Sequence, residues 1–175
     1  MTDLQYPIGR FQMPDSVSGA ARLAVMQQIA ELPARLRAAV AGLTEAQLDT
    51  PYRPDGWTVR QVAHHVADSH INAYVRLKLG LTESEPLIKT YEEALWANLP
   101  DSRAPIGNSL ELLDALHWRW VLLLEQTPAA DLARTVRHPD LGLVRLEQLM
   151  ALYAWHGRHH VAHVTGLRER MGWGS

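Results

Sequence analysis

Nine histidines occur in this 175-residue chain, and seven fall in two clusters: His64, His65 and His70, then His156, His159, His160 and His163. Imidazole is the commonest protein metal ligand, and two histidines four apart on a helix point the same way, offset by ~40° at 3.6 residues per turn. The second cluster holds two such pairs, His156 with His160 and His159 with His163. Its apolar stripe separates them. Measured from His156 at ~100° per residue, Leu149 and Leu167 fall near ~20°, Tyr153 and Met171 near ~60°, and Leu146 and Val164 near ~80°. The stripe centre lies at about 60°, with His160 at about 40° closest to it, His156 next and His159 outermost. The pair facing the core is His156 and His160.

The first cluster is less decisive. Val59, Val62, Val66 and Leu77 centre a stripe roughly 100° from His65, and His70 lies about 40° beyond that centre. Asp68 and Asn72 share the polar flank of His65, which suits a site opening between helices. Of the rest, His64, His159 and His163 read as supporting or surface groups, His117 beside Trp118 as a packed or surface residue, and His138 before Pro139 as a turn residue. Trp155, next to His156, is placed to wall a pocket. The chain has no cysteine, so a metal must rest on His and carboxylates. No His-Glu-x-x-His occurs, since Gly157 takes the Glu position, and no Glu-x-x-His pair or phosphate-cradling glycine loop is present. A zinc-peptidase helix, a di-iron carboxylate bundle and a nucleotide site are thereby disfavoured.

Pro and Gly punctuation sets the elements that must position these groups. A strap, Met1 to Asp15, should lie against the body. A first long helix runs from about Ser16 to Gly42, with a kink or break expected at Pro33. Thr44-Glu45-Ala46-Gln47 and Thr58-Val59-Arg60-Gln61 read as capping boxes, the second opening a long helix to about Gly80. Leu81 to Asn108 is a long connection with a short helix at Tyr91–Trp96. A third long helix covers Asn108 or Ser109 to Glu125, a hairpin covers 135–145, and a fourth long helix covers Leu146 to Met171. The expectation is all-α, a four-helix bundle in one domain over 1–175, whose long connection allows the second and third long helices to run parallel.

Hydrophobic residues make up 47% and charged residues 21%, with net charge -2, so disorder is excluded and nothing basic invites nucleic acid or an anionic membrane. No apolar run approaches the ~20 residues of a membrane span, and Met1 to Arg10 lacks the basic region and following apolar region of a secretory leader, which points to a cytoplasmic protein.

The chain resembles the DinB/YfiT-like metalloproteins, and within them the YfiT branch, known for metal-dependent hydrolysis and bacillithiol transfer. The resemblance rests on Tyr6-Pro7-Ile8-Gly9, Pro51-Tyr52-Arg53-Pro54-Asp55-Gly56-Trp57 through His65, Ala67-Asp68-Ser69-His70, His138-Pro139-Asp140, and Leu152-Tyr153-Ala154-Trp155-His156 through His163. In the family pattern a Trp opens the second helix and the His eight residues on is a ligand, which from Trp57 gives His65. The fourth helix supplies two more at i and i+4, which gives His156 and His160. The resemblance implies one divalent ion, zinc or nickel, on His65, His156 and His160, in a bundle that forms homodimers. The Gly157-Arg158 step between two of these ligands, where relatives vary, leaves the outer wall open.

Three neutral imidazoles leave an ion its full charge and an open position, the pattern of catalytic sites, which stabilises anions. With hydroxide as the anion the protein is a hydrolase of a small substrate. With a low-molecular-weight thiolate it is an S-transferase, a reading favoured by the lack of an obvious general base. A fourth protein ligand, His70 or Asp68, would instead close the shell and make a non-catalytic metal-binding stress protein.

Overall fold

The computed structural model describes residues 3–174; Met1 and Thr2 of the expected strap, and Ser175, lie outside the described residues. Four long helices form the body: α1 (Gly19–Val40), α3 (Val59–Thr82), α5 (Gly107–Gln126) and α7 (Leu146–Met171). Between them lie the short helices α2 (Glu45–Leu48), α4 (Glu93–Trp96) and α6 (Ala129–Leu132), a 3-10 turn (Pro100–Arg103), and strands β1 (Thr135–His138) and β2 (Gly142–Arg145). Thr44 and Thr58 both close capping boxes, with Gln47 and Gln61 answering to their backbone N–H groups.

Around the bundle α1 packs on α7 and α5, and α3 packs on α5 and α7. The residue pairings give the directions. His64 meets Ser109 and His70 meets His117, so α3 and α5 run parallel. His65 meets His156 while Gly80 abuts Leu146, so α3 and α7 are antiparallel. Arg168 on α7 donates to the carbonyls of Ala39 and Ala41 at the end of α1, and Gly157 packs on Leu32, so α1 and α7 are parallel. The order is up, down, down, up. The long connection makes it feasible, and α3 pins that connection through Gln61 to the Ala97 carbonyl and Arg60 and His64 to the Ala104 carbonyl.

Two features of α1 differ from the sequence reading. It begins at Gly19 rather than near Ser16, because the strap stays engaged with the start of α7 and the end of β2: the carbonyls of Pro14 and Asp15 accept from Gln148 and Arg145. Farther along the strap, Phe11 packs on Trp155 and Tyr6 on His159. α1 also continues without a break through Pro33. The hairpin sits where expected, with Val136 opposite Val144, both buried, and Gly142 at φ 72°, the left-handed region glycine favours.

The apolar interior is divided in two. One cluster joins Ile29, Ala73, Leu77, Trp120, Leu124, Leu146 and Leu149 with the hairpin valines. The other joins Leu32, Leu36, Val59, Val62, Val66, Leu113, Val164 and Leu167. On each of α3, α5 and α7 the division falls where histidines stand, at His70, His117, and His156 with His160. A layer of imidazoles crosses the bundle between two hydrocarbon cores, each of which gains stability from area removed from water.

Candidate metal centre

α3 and α7 bring His65, His156 and His160 together, one ring nitrogen from each lying within 4.8 Å of the others. Nε2 of His65 stands 3.1 Å from Nε2 of His156, and the His160 ring centroid is 4.5 Å from that of His156 and 4.8 Å from that of His65. Trp57 covers the group, its ring centroid 4.5 Å from His65 and stacked toward His160 at 6.4 Å. Eight residues separate Trp57 from His65, about two helical turns, and the Thr58 capping box fixes where the helix begins.

Burial lowers the pKa of all three. That of His65 is pushed down to about 4 by burial and then by His159. Those of His156 and His160 are held well below the usual imidazole range by burial first and then by neighbouring imidazoles. All three are neutral at pH 7 and carry lone pairs, the form a metal requires. Three converging neutral nitrogens, two of them on buried rings and one on the partly buried His156, shielded by an indole, fit a divalent ion of intermediate softness.

The remaining histidines have other partners. His64 donates from Nε2 to the Ala104 carbonyl and accepts the Ser109 hydroxyl proton at Nδ1, tying α3 both to α5 and to the segment before it. His138 Nδ1 accepts from the N–H groups of Asp140 and Leu141, the turn role expected of it. His163 meets the Gln5 carbonyl, and His159 stacks on Trp155. Trp155 therefore packs toward the strap, and Trp57 is the aromatic wall of the triad. Gly157 answers the question of the outer wall: a Cβ there would lie 2.7 Å from a Leu32 methyl, so this step of α7 is pressed against α1.

His70 is fully buried and faces the other nitrogen of His156, at 3.3 Å, so it does not complete a four-nitrogen group. Asp68, half-buried, has its carboxyl pKa raised by burial and then by Asp101, and it too stands outside the close group. His117 is packed, as one of the two sequence readings has it, but its role is not visible there. Its Nδ1 reaches the Ile29 carbonyl at 2.6 Å and its Nε2 reaches His70 at 3.0 Å. The available signal is Pro33, which lacks the N–H that would bond the carbonyl four residues earlier.

The profile of the DinB superfamily matches residues 28–164, and the chain belongs to that superfamily. It is 52% identical over 173 residues to a protein of Bacillus mycoides (strain KBAB4), covering 99% of this chain and 100% of that one, and that protein bears the name "Putative metal-dependent hydrolase". A protein of Bacillus cereus (strain AH820), named in the same words, is 51% identical over 173 residues, again 99% of this chain and 100% of that one. Among solved structures, YfiT from Bacillus subtilis superposes with a TM-score of 0.95 at 47% identity over 98% of this chain and 99% of that one. YfiT is described as "a probable metal-dependent hydrolase with an unusual four-helix bundle topology".

Proposed function

We propose that this chain is a metal-dependent hydrolase of a small ester or amide, with His65, His156 and His160 holding one divalent ion, zinc or nickel. The observation that carries the reading is the convergence of three neutral imidazole nitrogens within 4.8 Å, those of the buried His65 and His160 and the partly buried His156. When bound by three uncharged donors, such an ion acidifies water toward a pKa of ~7 and polarises a carbonyl, the chemistry hydrolysis needs. The chain's own groups hold and shield. Trp57 covers one side of the triad, and His70, engaged with Nδ1 of His156, adds no fourth nitrogen to the group found among the described residues. That arrangement supports an open rather than a closed site. Among the described residues no contact in the site favours thiol transfer.

The test is hydrolysis of a panel of small esters and amides by zinc-loaded and by chelated protein. Activity should vanish with chelator and return with zinc, without added thiol. Far-UV helix signal should persist throughout, because two apolar cores hold the bundle on either side of the imidazole layer. Melting should fall by a linkage amount, about 4 kcal/mol when free metal stood at a thousand times its Kd. Collapse of the helix signal would make the ion structural. Turnover appearing only when a thiol is supplied would replace hydrolysis with S-transfer.

A further inference from the structure

We propose that His117 and His70 are positioning residues, a chain of imidazoles anchored on a backbone carbonyl that holds His156 as its Nδ1–H tautomer and so presents its Nε2 lone pair to the triad. The anchor is the Ile29 oxygen. In an unbroken helix the N–H of residue 33 would bond to it, but residue 33 is proline, which has none. A buried carbonyl without a partner is costly. His117, from α5, takes the place of that missing donor at 2.6 Å.

The polarity of the chain follows from this end. A carbonyl oxygen only accepts, so His117 carries its proton on Nδ1. Being buried and neutral, it has a lone pair on Nε2, which accepts from Nδ1–H of His70 at 3.0 Å. His70, fully buried and likewise neutral, then has its lone pair on Nε2, facing Nδ1 of His156 at 3.3 Å. His156 must donate there. Its Nε2 is left bare, and that is the atom 3.1 Å from Nε2 of His65. No step has a free choice once the oxygen is set.

The same construction recurs on the other α7 histidine. Nε2 of His163 donates to the Gln5 carbonyl at 3.1 Å, which leaves Nδ1 of His163 to accept from Nδ1–H of His160 at 3.4 Å. The strap and the proline-containing helix thus each supply one carbonyl that orients one member of the triad. Metal-ligating histidines are generally oriented by a partner on their second nitrogen, and losing that partner costs affinity. Here the partner is itself a histidine whose tautomer is set from farther away. That accounts for three of the chain's surplus histidines: His70, His117 and His163.

The purpose assigned to the chain rests on the metal reading; its tautomers do not. The experiment therefore has two arms. In metal-free protein labelled with 15N-histidine, long-range 15N–1H correlation at pH 7.5 should find His117, His70 and His156 all as Nδ1–H tautomers. An Nε2–H tautomer at His70 or His117 in this unmodified protein overturns the chain, with no variant needed. In His117→Leu, His70 loses its acceptor, its proton is free to move to Nε2, and His156 should turn toward the Nε2–H form. Competition titration with zinc alone should then give an affinity about 10- to 100-fold weaker. His117→Gln keeps an amide N–H for the Ile29 oxygen and an amide oxygen for His70, and should restore both the spectrum and the affinity. A folded His117→Leu protein with unchanged His156 tautomer and zinc affinity overturns the proposal. Failure of the unmodified protein to bind zinc overturns the metal reading instead, and the tautomer spectrum still decides the chain.

Discussion

A protein carrying both His156→Ala and His160→Ala should be purified with less than about a tenth of the divalent metal of the unmodified chain, since loss of an outer-shell partner alone costs 10–100-fold in affinity. Hydrolysis should fall by at least about a thousandfold, because the acidity of water at the ion spans several pKa units relative to bulk. Both substituted side chains sit in the imidazole layer between the two cores, so the helices should survive the change. Elemental analysis with far-UV dichroism on the same sample checks both statements. Retained metal would move the site to His159 and His163. The structure gives that pair no third partner: His163 is engaged with Gln5 and His160, and Nδ1 of His159 is buried without a hydrogen-bond partner among the described residues.

The second large effect is acid sensitivity of the metal-free protein. His65, His117, His159 and His163 each have the imidazole pKa pushed down to about 4, and burial is the first cause for every one. His70, His156 and His160 are held well below the usual range by the same cause. A depressed folded-state value means that between about 4 and 6.5 the unfolded chain binds more protons than the folded one. Their contribution to stability is therefore complete above pH 6.5 and is lost as pH falls toward 4. Each group contributes a slope of up to about 1.4 kcal/mol per pH unit inside that window. Urea midpoints at pH 7.5, 5.5 and 4.5 should fall steeply in that order. His117→Gln, which cannot titrate, should fall less steeply. A midpoint flat across the range would mean that the imidazoles are not buried as a layer.

Much of this arrangement is legible in the sequence, and the exceptions have identifiable causes. On α7 one face carries the apolar side chains, so the stripe selects His156 and His160 over His159. On α3 the same method has little to work with. Arg60, His64, His65, Ser69 and His70 are buried along with the valines, because α5, α7 and the long connection cover the helix from several sides. The valine stripe marks only part of the buried surface, and only the family resemblance, through the spacing from Trp57, points to His65. The parallel course of α3 and α5 is allowed by the length of the connection. The role of His117 is not legible, because its partners, Ile29 and His70, lie 88 and 47 residues away. Pro33 reads as a kink or a break in α1, and the donor that takes up its unbonded carbonyl comes from another helix.

The triad itself is the central claim, and X-ray absorption at the metal edge of the zinc-loaded protein tests it most directly. Multiple scattering should require three imidazoles, with nitrogen at about 2.0–2.1 Å, and the remaining coordination should come from light-atom ligands that azide displaces. The same measurement on His65→Ala should lose one imidazole. A site in which imidazole number is unchanged by that substitution, or in which four protein ligands leave azide nothing to displace, would contradict the account.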